Sequence, residues 1–532
     1  MITGDPVTVD SDKVQVGTPS SKHHGVGLWP PPSSDPADPL RWPRWAKFLA
    51  LLAVAIFNFV ANFAGAGLSV ATVILEMELH KTPQQINSLM SYNFLLLGLG
   101  NLVWIPLSAK YGKRPIMIIS TALLFAVLLW TAKAKTYPEL LAARILSGFA
   151  SASGESIGPG IVSDIFFLHE RGTAMSIYVV LISAGSAVGP LIGGFMVEYS
   201  PGTWRDFCWL CAALAGFDLL AIYFLYPESS FTRPHPTVPT PAADSVSTPD
   251  DEKTAEQGAI ATNLENAQGH QVEENEDFVV EFSYRQVATS FLHVNKSLSL
   301  FKAFAMPFAF LPSLIVLWVV FLYGSALASL TVLILAFPSL LLPPPYNFPS
   351  SSVGLMQIPA TIGFAFATFG GGYICDLITA RIIKRNRGVF VPELRLVSMA
   401  PGSFIGPVGC IIVAFTCANK LHWASIAVGY GMVAFGVVYA PNVAVTYLID
   451  CYPAFASDVL VIVNIVKNTI AFVFLYTAVD WVRSQGWIQV YMIMFMLVSL
   501  SMVLTIPLYF WGNKARQLFM RMSPREVREA RL

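Results

Sequence analysis

The sequence predicts an all-α membrane protein with twelve transmembrane helices in two six-helix bundles. Of its 532 residues, 55% are hydrophobic and 12% charged, about half the charged share of a typical soluble domain, and mean hydropathy is +0.59. Twelve apolar runs are each long enough to cross a hydrocarbon core of about 30 Å, which takes about 20 residues of helix because lipid satisfies no exposed backbone polar group. A polar, acidic stretch at 227–303 divides these runs six and six. An ordinary water-soluble enzyme is thereby excluded. Basic and acidic residues number 33 each, so no nucleic-acid partner is implied.

Residues 1–45 are polar and rich in Pro, Asp and Ser, without the central apolar region of a signal peptide. They are expected to be a disordered cytoplasmic N-terminus, so that the first run, 46–70, directs insertion. That run carries Asn58 and Asn62 one turn apart, read as helix–helix hydrogen bonders or cavity-lining groups. Runs at 88–108, 115–135, 138–162, 174–198 and 206–226 complete an N-terminal bundle over 46–226. The linker 227–303 is rich in Pro, Thr and Ser and then in acids such as Glu273, Glu274 and Glu276. It buries too little apolar surface to fold alone and is expected to be disordered and cytoplasmic.

Runs at 306–338, 355–377, 397–417, 423–446, 456–479 and 487–511 form the C-terminal bundle, 304–511, and a basic cytoplasmic tail, 512–532, follows. The seventh run is too long for one straight span and contains Pro307 and Pro312, so its start is expected to approach along the interface. Cytoplasmic loops carry the excess of Lys and Arg. With the N-terminus inside, eighteen lie on inner flanks and the tail and six on outer connections, which places both termini in the cytoplasm. The plasma membrane is the expected location, with the vacuolar membrane second. The glycosylation-type triplet at Asn295 then lies on the wrong side for modification. Six cysteines in or beside apolar runs lack zinc or disulfide spacing and read as packing residues.

A few ionisable groups interrupt the apolar runs, and such groups normally face a bundle interior or a wet cavity. In the fourth run, the eleven positions from Arg144 to Glu155 return to within about 20° of one face, about 16 Å along the axis, with Ser151 on the same face. This stripe is the leading candidate for a substrate and proton pathway. Asp218 lies in run six. Lys467 in run eleven could neutralise Asp218 or Glu155, or donate to backbone carbonyls. Tyr323 and Tyr430 could stack on a planar or cationic substrate or pack in the core.

Several strings go beyond generic packing. Pro106-Leu107-Ser108-Ala109-Lys110-Tyr111-Gly112-Lys113-Arg114-Pro115 joins runs two and three, and Gly372-Tyr373-Ile374-Cys375-Asp376 leads to Arg381 in the second half. Run five reads Gly185-Ser186-Ala187-Val188-Gly189-Pro190-Leu191-Ile192-Gly193-Gly194, with glycines every four residues making a flat ridge for close helix approach. The first loop resembles the gate loop of the major facilitator superfamily, with Ala109 where that family has its aspartate and Ile105 where it has a leading glycine. Arg144 followed by Gly148 resembles that family's fourth-helix pattern. The run-five string resembles the antiporter motif of its drug:proton exchangers. Together with Asp35–Trp42, Asp164–Gly172, Pro227–Phe231 and the stretch around Pro392–Leu396, the chain is similar to the fungal branch of the twelve-span drug:proton antiporters, which also includes polyamine and organic-cation carriers and toxin exporters.

That resemblance implies the major facilitator fold and a secondary transporter working by alternating access, with no cofactor and the proton gradient as driving force. Its partners would be protons, a small organic substrate and the bilayer, and it would act as a monomer. Glu155 would bind a proton or cation and Arg144 would respond to its charge. Lys110, Gly112, Lys113, Arg114, Asp376 and Arg381 would form the inner gate, and the ridge at Gly189 and Pro190 would seal the halves. Export of a toxin, drug or secondary metabolite is the leading expectation. Proton-coupled uptake of an organic cation such as a polyamine, and a receptor on a transporter scaffold, are the alternatives. No Walker loop, metal cluster or nucleophile motif supports an enzyme.

Overall fold

The computed structural model describes residues 38–231, 294, 299–375, 377–378, 381, 391–452 and 455–522. Among these residues the ordered elements are all helical. The first half comprises α1 (Arg44–Gly67), α2 (Pro83–Tyr111), α3 (Lys113–Lys133), α4 (Tyr137–Ile165), α5 (Leu168–Tyr199) and α6 (Trp204–Leu225). The second half begins with α7 (Leu314–Leu341) and α8, which runs through Ser350–Leu355 and Gln357–Phe369 into a π turn at Gly370–Ile374. It continues with α9 (Ala400–Ala418) and α10 (Trp423–Cys451). The helical run Ala456–Val503 is divided at Gly486, φ 77°, into α11 (456–485) and α12 (487–503). A further helix, α13 (Thr505–Met522), follows.

Ten described segments are long and apolar enough to cross a membrane. Dividing Ala456–Val503 at Gly486 makes eleven, and α4, 29 residues long, is the twelfth. Its Ser, Gly, Arg144 and Glu155 lower its hydropathy, and most of them are buried within the bundle.

Several boundaries differ from the apolar runs. α2 starts at Pro83, five residues before its run, because Thr82 and Gln85 form a reciprocal capping box. The approach to α7 is broken as expected, with the short helices Leu300–Ala305 and Met306–Phe310 preceding Ser313. Residues 38–43, placed by sequence in a disordered N-terminus, are packed instead. Asp38 Oδ1 accepts from the Leu40 N–H, Trp42 is buried, and Lys47 Nζ donates to the Leu40 carbonyl while lying 4.6 Å from the Phe167 ring centre. The tail expected from 512 onward is helical to Met522. Its Phe519 is buried against Phe310 and Tyr452, and Arg516 pairs with Glu393 at 3.2 Å.

Within the first half α1 packs on α5 and α6, α2 on α4, and α3 on α6; across the halves α2 packs on α11 and α5 on α8. Tyr92 of α2 meets the rings of Phe472 and Tyr476 of α11 at 5.4 and 6.3 Å. Twelve crossings bring both ends of the bundle to one face, here termed the termini face. The crossed packing leaves α4 and α11 facing each other at the centre.

Candidate functional site

At that centre α4 supplies Glu155, α11 supplies Lys467 and Asn468, and α7 supplies Tyr323. Lys467 Nζ pairs with Glu155 Oε1, and Asn468 Nδ2 donates to Glu155 Oε2 at 3.2 Å. The ammonium also lies 4.4 Å from the Tyr323 ring centre. The Lys467 side chain is 5% exposed and that of Glu155 25%. Each charge would be costly alone in this setting, and each compensates the other. Of the two acids that sequence left open as partners of Lys467, the structure brings Glu155 to it.

Arg144 takes a different environment on the same helix. Its guanidinium donates to the carbonyls of Ala64 (3.0 Å) and Gly65 (2.7 Å) and contacts Met90 Sδ at 3.1 Å. Those carbonyls lie where α1 gives way to the 3-10 turn at Leu68–Ala71 and the short helix Thr72–Leu79. The charge is thus met by backbone rather than by Glu155. Asn93 of α2 fixes this segment by donating to the Arg144 carbonyl (3.0 Å) and to Ser147 Oγ (2.8 Å), and Ser151 Oγ donates to the Ser147 carbonyl.

The other sequence candidates divide in the same way. Asn58 donates to Val54 and Asn62 to Asn58, both along their own helix. Asn58 also lies against α4, where a Cβ on Gly154 would stand 2.5 Å from its Oδ1. Tyr430 is fully buried, donates to Gln357 Oε1 at 2.6 Å and meets Phe337 edge-on, so it is a core residue rather than a cavity wall. Asp218 is buried in α6, which packs on α1 and α3, and neither carboxyl oxygen has a hydrogen-bond partner among the described residues.

The glycine ridge of α5 has two sides. A Cβ on Gly185, Gly189 or Gly193 would stand 2.4, 2.4 and 2.7 Å from the carbonyl oxygens of Phe59, Phe63 and Gly67, so these three seat α5 on α1 inside the first half. Gly194 faces the other half, with Ser350 O 2.6 Å and Gly354 Cα 3.2 Å from a Cβ placed there. The close approach between the halves here therefore involves Gly194, Pro190 and Leu191 of α5 against α8.

On the termini face Gly112, φ 97°, turns α2 into α3. Glu228 accepts from the backbone N–H groups of Lys113 and Arg114 at 3.0 and 3.1 Å, capping α3. Lys113 Nζ pairs with Asp164 at the end of α4 at 2.5 Å, and Arg114 donates to the Tyr223 carbonyl at 3.1 Å. The second half repeats the brace. Arg395, before α9, pairs with Asp450 at the end of α10 at 3.0 Å, and Glu393 pairs with Arg516 of α13. Lys110 lies beside the Tyr111 ring, Arg381 is exposed, and Asp376 falls outside the described residues. Sequence reasoning missed Asp164, Glu228 and Asn468 as partners. The first two stood in noted strings, and Asn468 is one residue from Lys467.

With this geometry in view, a family model described as Major Facilitator Superfamily matches residues 52–474. Protein HOL1 of Saccharomyces cerevisiae is 25% identical over 539 residues, covering 92% of this chain and 90% of that one. An uncharacterized MFS-type transporter of Schizosaccharomyces pombe is 24% identical over 529 residues, covering 93% and 89%. Among solved structures, a D-xylose-proton symporter superposes with a TM-score of 0.56 at 13% identity, covering 86% of this chain and 97% of that one. That last likeness concerns fold alone.

Proposed function

Because this chain belongs to the Major Facilitator Superfamily, we propose that it exports a small organic molecule by alternating access, driven by protons. It is a multi-pass membrane transporter and not an enzyme. The observation that carries the reading is the Glu155–Lys467 pair, which ties α4 of one half to α11 of the other at mid-bundle. When a proton reaches Glu155, the carboxylate charge is lost and with it the attraction that holds Lys467 across the halves. The ammonium stays over Tyr323, the halves are free to rock, and release of the proton restores the pair.

Two features favour export over uptake. The α5 string resembles that of exchangers, and its Gly194 side closes the halves against leakage at α8. Glu155, the acid at the centre, already faces an internal ammonium, which does not suit capture of a polycation.

The test is transport by the purified protein in sealed vesicles of defined orientation, using neutral, cationic and anionic organic probes under an imposed pH gradient. Probe movement opposite to proton flow is expected. Indifference to the gradient overturns proton coupling, and movement with the protons overturns export. Full gradient-driven transport by Glu155→Gln removes Glu155 from the mechanism.

A further inference from the structure

The contact between α5 and α8 lies on the face opposite the termini and includes a charged group that the glycine string does not contain. Gly354 approaches so closely that a Cβ on it would stand 2.8 and 3.0 Å from the carbonyl oxygens of Pro190 and Leu191. Gly194 meets Ser350 and Gly354 one turn further along α5. A further turn on, Glu198 Oε2 accepts the Ser351 backbone N–H at 2.8 Å. α8 makes no side-chain cap of its own there, since Pro349 occupies the cap position. The acceptor comes from the other half of the protein.

Close glycine contacts allow the halves to meet but give little directional hold. A hydrogen bond to an ionised carboxylate is roughly twice as strong as a neutral one. It must break whenever α5 and α8 part at this face. We propose that Glu198 is a positioning residue that latches the opposite-face gate shut through Ser351, so that its removal shifts the carrier toward the state open on that face. The inference rests on the alternating-access reading above and adds to it the residue that sets the balance of the two states.

The described cysteines are all buried, so spin labels can be directed to a new pair. Pro201→Cys and Pro343→Cys are both exposed on the opposite face, one in each half. In vesicles, Glu198→Ala is expected to raise the ratio of long to short label separations about tenfold, the effect of losing one charge-assisted hydrogen bond. Glu198→Gln, which keeps an acceptor without charge, falls between and serves if the alanine variant folds poorly. Apparent affinity should strengthen on the opposite face and weaken on the termini face, a split that mere destabilisation would not give. An unchanged ratio in both variants overturns the latch. One fixed separation in the otherwise unchanged labelled protein under either direction of pH gradient overturns alternating access itself, and the latch with it.

Discussion

Replacing Lys467 by Met removes an ammonium held between Glu155 and the Tyr323 ring and keeps most of the side-chain volume. Removing one partner of a buried ion pair costs about 3–5 kcal/mol because the other charge is left uncompensated. The Glu155 side chain retains 25% exposure, so water relieves part of that cost and the lower end, about 3 kcal/mol, applies. Glu155→Gln strands the ammonium, at 5% exposure, and is expected to cost at least as much. The double variant Glu155→Gln, Lys467→Met leaves neither charge unpaired and should lose less than either single variant. That gives a coupling of at least about 3 kcal/mol, the upper end of the range for residues in direct contact. The assay is a double-mutant cycle on unfolding in mixed micelles, followed by tryptophan fluorescence. Additivity to within about 0.5 kcal/mol would refute the pairing and the mechanism built on it.

Gly189→Val forces a side chain into the Phe63 carbonyl, where even a Cβ would stand 2.4 Å away, so it should lower the unfolding midpoint by the equivalent of about 3 kcal/mol or more. Gly372→Ala, with nothing within 4 Å of its Cβ, should have almost no effect in the same melt. Glu228→Ala loses the cap on two α3 amides and should cost about 1–2 kcal/mol, whereas Lys113→Ala, removing a partly exposed pair with Asp164, should cost about 1 kcal/mol or less; the reverse order would show that the ion pair, not the cap, holds α3. Phe519→Ala vacates the cluster with Phe310 and Tyr452 and should cost about 3 kcal/mol, releasing α13 to limited proteolysis while the core resists.

The twelve-span pattern was legible because hydrocarbon demands long apolar helices, and the broken approach to α7 followed from its prolines. The start of α2 was hidden because a capping box is polar and adds nothing to an apolar run. α13 was hidden because its docking depends on Phe310 and Tyr452, far away in sequence. Helical periodicity placed Arg144 and Glu155 on one face of α4 but carries no information about which helix each faces. Their divergent partners, α1 carbonyls for one and α11 for the other, arise from tertiary packing. The same limit explains Tyr430, whose hydroxyl finds Gln357 inside the core, and Lys113, whose partners Asp164 and Glu228 come from other elements.

The charged groups separate by whether their partners lie in the same half. Arg144 with Ala64 and Gly65, and Lys113 with Asp164, join elements of the first half; Arg395 with Asp450, and Glu393 with Arg516, join elements of the second. Asp218 sits among α1, α3 and α6, again within one half. Rocking the halves as rigid bodies leaves all of these unchanged. Glu155 with Lys467 and Asn468, and Glu198 with Ser351, cross from one half to the other and must change. A bound proton can bias two conformations only by the difference in its interaction with each, so a group whose surroundings are the same in both states contributes no coupling. On the proposed cycle the coupling role therefore falls to Glu155 and not to Asp218. Asp218→Asn should leave proton-driven transport within about twofold of the unsubstituted protein, while Glu155→Gln abolishes its response to the gradient. Equal loss in both would mean that α6 moves relative to α1 and α3 during transport, and that the halves do not rock as rigid units.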